Sequence, residues 1–271
     1  MFKILKESLR ITNNNIIIAT PLILFSLLSS LYLIFSGHGS SIGMLLTVLL
    51  FFLMLAAFLA GWFYVVTVTV KDPYGKGSFG SEFMSGVGEY FLPIIGFLFN
   101  TFVITMVMIV CAFLLGKKFI GSPGVSSSQI IEAMTTVEAM KTFASSLSAE
   151  QLVKINQWNL LVFFTMIFNY FIFMFYAPAM YFKKKNPFIA LCLSIRDLFS
   201  AKFFGNLGLF FMIFVSYMLL SAFNALLGSN LFVHFLLTII NFYYATLIVV
   251  FVFNYYYSNY AKIGSNIDKM V

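Results

Sequence analysis

Six stretches of the chain are almost unbroken apolar sequence, at about 16–35, 43–68, 91–115, 159–182, 204–227 and 231–256. Each reaches the roughly 20 helical residues needed to cross a hydrocarbon core of about 30 Å. Polar positions gather in the connections, of which only 116–158 is long. Ahead of the first, third and fifth runs the pattern changes to apolar residues recurring every three or four positions. In 2–13, Phe2, Leu5 and Leu9 oppose Lys3, Glu7 and Arg10. In 79–90, Phe79, Phe83, Val87 and Tyr90 oppose Ser81, Glu82, Ser85 and Glu89. In 188–203, Phe188, Leu191, Cys192, Ile195, Leu198 and Phe199 oppose Arg196, Asp197 and Ser200. Such stripes let a short helix lie in the interface with its apolar face toward the acyl chains. The pattern therefore predicts an all-α polytopic transmembrane bundle of about six spans, forming a single integral membrane domain over 1–271. Short interfacial amphipathic helices precede spans 1, 3 and 5, giving a three-fold hairpin repeat.

Composition agrees with that reading. Hydrophobic residues make up 61 %, charged residues 9 %, and mean hydropathy is +0.99. A soluble domain runs near a quarter charged, so lipid is the solvent for most of this chain. The net charge of +7 does not point to nucleic acid, because the basic residues sit in short connections with a topological explanation. On one side fall Lys3, Lys6, Arg10, Lys71, Lys76, Lys183, Lys184, Lys185, Arg196, Lys202, Lys262 and Lys269; on the other only Lys117, Lys118, Lys141 and Lys154. The excess of Lys and Arg on cytoplasmic segments places both termini in the cytoplasm of a cell (cytoplasmic) membrane. The polar opening MFKILKESLRITNNN is long for a signal peptide, and no A-x-A pattern follows the first run, so a retained first span is expected. Cys111 and Cys192 read as apolar fillers on opposite sides of a span.

The extracytoplasmic loop 116–158 opens with GSPGVSSS, which is turn material. Ile130, Met134, Val137 and Met140 then recur at helical spacing, and Ser148 with Gln151 resembles a capping box leading into span four. A helical hairpin on the outer surface is one reading; a lid or docking site is the other.

Chemistry inside a membrane usually shows as an ionisable residue within a span. All nine acidic residues lie outside the apolar runs, which argues against proton-coupled transport. His234 sits near the outer interface and His38 in the Gly-rich turn after span one; without in-span carboxylates they do not form a metal site. G-x-S-x-G, H-E-x-x-H and Walker-type glycine patterns are absent from the sequence, and neither catalytic residues nor a cofactor are expected. The spans carry neutral polarity instead, at Asn100, Asn169, Asn206, Asn224, Asn241 and Asn254. An amide in hydrocarbon needs a partner, so these are candidate polar intramembrane contacts, either between helices or lining a cavity. Pro21, Pro93 and Pro178 are candidate kink points.

The chain has two arginines, and both stand in one context ahead of an odd span: Ser8-Leu9-Arg10 and Ser194-Ile195-Arg196. The planar guanidinium grips phosphate or carboxylate in a bidentate way. Arg10 and Arg196 are therefore candidate lipid-phosphate contacts, with pairing to Glu89 or Glu7, or ordinary positive-inside anchoring, as the other readings. The connections Lys71-Asp72-Pro73-Tyr74 and Lys184-Lys185-Asn186-Pro187-Phe188 share a basic residue, then Pro, then an aromatic. With the run Pro187-Phe188-Ile189-Ala190-Leu191-Cys192-Leu193-Ser194-Ile195-Arg196 and the aromatic-rich even spans, the chain resembles a broad group of bacterial and archaeal membrane proteins. That group includes the membrane domain found beside glycerophosphodiester phosphodiesterases. The resemblance implies a six-helix membrane domain and supplies no chemistry. The phosphodiesterase domain has no counterpart here, and Ser85-Gly86-Val87 lacks the arginine.

The expected partners are the lipid bilayer, anionic phospholipid headgroups and a membrane protein partner. The expected function is a non-enzymatic membrane component supporting a partner protein or organising lipid. The alternative is a transporter or permease for a neutral or lipid-like substrate.

Overall fold

In a computed structural model the chain is helical throughout its regular structure. The structure describes residues 1–36, 41–75, 77–133, 135–227 and 231–262; His38, Lys76, Met134 and Lys269 lie outside them. The helices are α1 (Phe2–Asn14), α2 (Thr20–Ser36), α3 (Ser41–Lys71), α4 (Phe79–Phe119), α5 (Ser127–Ala133), α6 (Val137–Ser146), α7 (Ala149–Phe173), α8 (Tyr176–Phe182), α9 (Pro187–Leu198), α10 (Phe203–Leu227) and α11 (Leu231–Tyr256). Among the described residues five helical segments are long and apolar enough to span a membrane, and α1 with the helix after it makes a sixth, bent pair. The protein is an integral, multi-pass α-helical membrane protein.

Packing divides the chain into two compact units, one of residues 1–100 with 172–271 and the other of 101–171. The core of the first is built by the even-numbered spans. Phe63 of α3, Tyr181 of α8 and Phe253 of α11 form a triangle of rings with centroids 5.5 to 6.3 Å apart. Around them Ala60, Val66, Val250 and Phe251 are buried. Tyr181 donates its hydroxyl to the Ala60 carbonyl at 2.9 Å, tying α8 to α3. Aromatic pairs in such offset and edge geometries add to their area burial.

The break between α7 and α8 has a local cause. Pro178 has no N–H, so the carbonyl four residues earlier loses its helical donor and the helix interrupts between Phe173 and Tyr176. Pro93, in contrast, lies inside the continuous α4.

The segments ahead of the odd spans differ from one another. Chain entry is through α1, which packs on α11: Asn254 donates to the Ser8 hydroxyl at 3.1 Å, and Tyr243 donates to Asn13. Its buried residues are Ser8, Ile11 and Thr12, while Phe2 stays outside. A 3₁₀ turn at Ile16–Ala19 then bends the chain by 84°. Trp62 pins that corner, donating to the Ile18 carbonyl at 2.9 Å. The segment 79–90 is not a separate helix. It forms the first turns of α4, whose 41 residues extend about 60 Å, twice the hydrocarbon core. Its apolar stripe faces α3 rather than lipid. A Cβ at Gly86 would lie 2.4 Å from Tyr64 Cβ and 2.9 Å from the Ala60 carbonyl oxygen, so only glycine allows this approach. The third segment is the discrete helix α9.

The second unit contains the far half of α4, α5, α6 and the first part of α7. Trp158 donates to the Gly121 carbonyl at 3.0 Å and lies over Phe113, its ring so close to Gly116 that a Cβ there would sit 2.4 Å away. Ser148 and Gln151 exchange reciprocal backbone–side-chain bonds of 2.9 and 3.3 Å at the start of α7, satisfying two of the helix's otherwise unpaired donors.

Candidate functional site: an ionic and aromatic cluster around Asp197

The site grows from the start of α9. Asn186 caps that helix, its side-chain oxygen accepting from the Phe188 and Ile189 amides at 3.0 and 3.2 Å, and Pro187 presets the first helical turn. The rotation so fixed turns Ala190, Ser194, Asp197 and Leu198 inward and leaves Phe188, Ile189, Ile195 and Phe199 outside. Asp197 is only 5 % exposed.

Three groups converge on its carboxylate. Oδ2 accepts from Lys183 Nζ, in the turn after α8, and from the Tyr256 hydroxyl at the end of α11, each at 2.6 Å. Oδ1 accepts from Arg196 Nη2 at 3.2 Å and Nε at 3.4 Å. A buried carboxylate is tolerated because its lone pairs are taken by charged and hydroxyl donors.

Asn206, fully buried in the first turn of α10, forms the floor. Its amide donates to the Asp197 and Leu198 carbonyls at 3.1 and 2.8 Å, supplying partners for the end of α9. Its oxygen accepts from the hydroxyls of Tyr260 at 2.8 Å and Tyr255 at 3.3 Å. Tyr260 reaches it because α11 widens into a π turn at Tyr257–Ala261, a geometry concentrated at functional sites. The Lys183 ammonium lies 5.3 and 5.7 Å from the Tyr256 and Tyr260 ring centres, and the Lys202 ammonium 5.4 Å from the Tyr260 ring centre. Lys202 donates to the Asn259 backbone carbonyl and side-chain oxygen at 3.1 and 3.0 Å. Two cations, Lys183 and Arg196, thus share one carboxylate, and Lys202 adds a third positive charge beside Tyr260, so the cluster keeps a surplus of positive charge.

The two arginines occupy different settings. Arg196 belongs to this cluster. Arg10 is exposed, its guanidinium carbon 5.6 Å from the Tyr74 ring centre. Neither pairs with Glu89 or Glu7: Arg196 takes its sequence neighbour Asp197, and Glu89 pairs with Lys185. The reason is geometric, since Glu89 is carried on the continuous α4 beside the turn that holds Lys185. The asparagines meet side chains or carbonyls of other helices. Asn100 donates to the Tyr176 hydroxyl at 2.8 Å, Asn224 and Asn241 exchange bonds of 3.1 and 3.4 Å, and Asn254 holds Ser8. Within residues 101–171, Asn169 exchanges bonds of 3.1 and 3.3 Å with Thr105.

Asp197 was not singled out by sequence reasoning, which set it on the solvated face of its helix. The available signal was a carboxylate beside one of only two arginines, in a helix otherwise rich in apolar residues. Among the described residues no three or more His, Cys, Asp and Glu side chains are placed to share a metal ion. Compared with protein-family models, curated proteins and solved structures, the chain matches none.

Proposed function

We propose that the protein is a non-enzymatic component of the cytoplasmic membrane that organises anionic lipid at the inner leaflet, with both termini on the cytoplasmic side. The observation that carries this reading is the construction of α1 and α9. Both bury a serine in the protein; α9 turns Phe188, Ile189 and Phe199 outward, while α1 exposes Phe2 together with Lys3, Lys6 and Arg10. Each bears an arginine on its exposed side. The 84° bend after α1 supports a helix lying near the membrane plane, where exposed apolar side chains enter the acyl region and a guanidinium meets headgroups. Twelve of the sixteen basic residues fall on the same side by sequence, which supports the orientation.

Native mass spectrometry of gently extracted protein tests the reading. Retention of anionic over zwitterionic phospholipid is expected. A stoichiometric protein companion with no lipid preference would replace it with a role as a partner's membrane subunit, and solute flux in liposomes would replace it with transport.

A further inference from the structure

We infer that Arg196 and Lys202 form a binding site for the phosphate group of an amphiphile at the junction of α9 and α10. The inference rests on the lipid-organising reading and assigns it to one place.

The charge balance is the first argument. Asp197 is the only carboxylate ion-paired with the cluster among the described residues, and Lys183 already takes its Oδ2 at 2.6 Å. Lys183 is held inside, with a fifth of its side chain exposed, whereas two thirds of the Arg196 side chain is open. Arg196 spends Nε and Nη2 on the same oxygen, Oδ1, which leaves Nη1 and the second Nη2 proton for another acceptor. Lys202 is anchored on the neutral Asn259 oxygens and brings a charge that no protein carboxylate among the described residues balances. Uncompensated cations beside a low-dielectric wall attract an anion more strongly than the same charges in open water.

Rigidity is the second argument. Asp197 orients Arg196, and the Tyr260 ring together with Asn259 orients Lys202. Tyr260 is itself fixed on Asn206, which also holds the end of α9. Both cations are therefore anchored to one hydrogen-bonded frame around Asn206, which reduces the side-chain freedom lost when an anion binds. The pairing of a guanidinium fork with an ammonium suits a phosphate, which offers several oxygens to donors approaching from two sides.

The apolar surroundings select the carrier. Phe199, between the two cations in sequence, and Phe204, two residues after Lys202, are 51 % and 83 % exposed. An ion without a tail gains nothing from them, while a lipid places its phosphate between the cations and its acyl chains along these rings. Arg10 lacks this frame, having only the Tyr74 ring beside it.

The test uses the full chain in nanodiscs of phosphatidylcholine doped with phosphatidic acid, with retained lipid counted by native mass spectrometry. The wild type should hold phosphatidic acid preferentially, and the Arg196→Gln/Lys202→Gln double variant should lose about tenfold or more of that preference. Lys6→Gln, which removes one exposed charge on α1, should keep it. Unaltered thermal unfolding of the double variant would show that the fold survives. Preferential retention that the double variant leaves intact would overturn this site while sparing the general reading. No preference in the wild type would overturn both. Displacement of the lipid by millimolar inorganic phosphate would overturn the amphiphile assignment and make a free phosphate the ligand.

Discussion

The helices α1 and α9 begin from nearly the same sequence idea and end as different devices. Each centres a fully buried serine two positions before an arginine. Ser8 donates to the Ile4 carbonyl at 2.8 Å and accepts from Asn254, so its hydroxyl ties α1 to α11. Ser194 has no hydrogen-bond partner for its hydroxyl among the described residues. What holds α9 is the residue three positions on, Asp197, whose carboxylate gathers Lys183, Arg196 and Tyr256. The corresponding position in α1 is Ile11, which is buried as an apolar contact. A one-residue difference at equal register thus separates a helix attached by packing and neutral hydrogen bonds from a helix built around a charge.

The largest expected effect comes from removing that charge. Asp197→Ala leaves the mostly buried Lys183 without its counter-ion and the buried Tyr256 hydroxyl without its acceptor, and should lower stability by about 3 kcal/mol. Thermal unfolding in detergent, followed by tyrosine and tryptophan fluorescence, reads the loss. A variant as stable as wild type would mean that the carboxylate is not what secures α9.

Next in size is Gly86→Ala, which tests the middle segment that has neither the serine nor the arginine in this role. The added methyl would meet Tyr64 Cβ and the Ala60 carbonyl, and overpacking of this kind costs about 1–3 kcal/mol. Gly88→Ala, two positions on, faces open space and should be tolerated. Equal behaviour of the two would place α3 and α4 further apart than described.

The serine pair gives the sharpest contrast. Ser8→Ala should cost about 1 kcal/mol, because it leaves the buried Asn254 amide short of an acceptor. Ser194→Ala should be neutral or slightly stabilising, since it removes a buried hydroxyl that makes no bond. A double comparison in the same detergent separates them, and a larger loss at Ser194 would reveal a partner for its hydroxyl.

The legible part of this protein was what lipid as solvent forces on any chain. Backbone groups in hydrocarbon must bond within their own segment, so a long apolar run becomes a helix wherever it packs. The six runs are accordingly all helical, from 16–35 to 231–256. The capping signal at Ser148-Gln151 is also local, a matter of four residues, and it forms. Amphipathic stripes were legible as stripes but not as directions. The periodicity of 79–90 is real, yet its Phe83 and Tyr90 pack toward Gly61 and Tyr181 on α3 and α8, and the segment continues straight into its span.

Tertiary structure alone decided which polar residues matter. In water a charged face points outward, and Asp197 in sequence looks like any solvated acid. In a lipid-facing helix the apolar side chains have the favourable surroundings outside, so the polar face turns in and must be matched there. The matching groups arrive from 14, 59 and 9 positions away, at Lys183, Tyr256 and Asn206. No periodicity connects such positions. Composition and hydropathy determined that this chain is a helical membrane protein; the convergence of Lys183 after α8, Arg196 of α9 and Tyr256 of α11 on one carboxylate determined where its charge is concentrated.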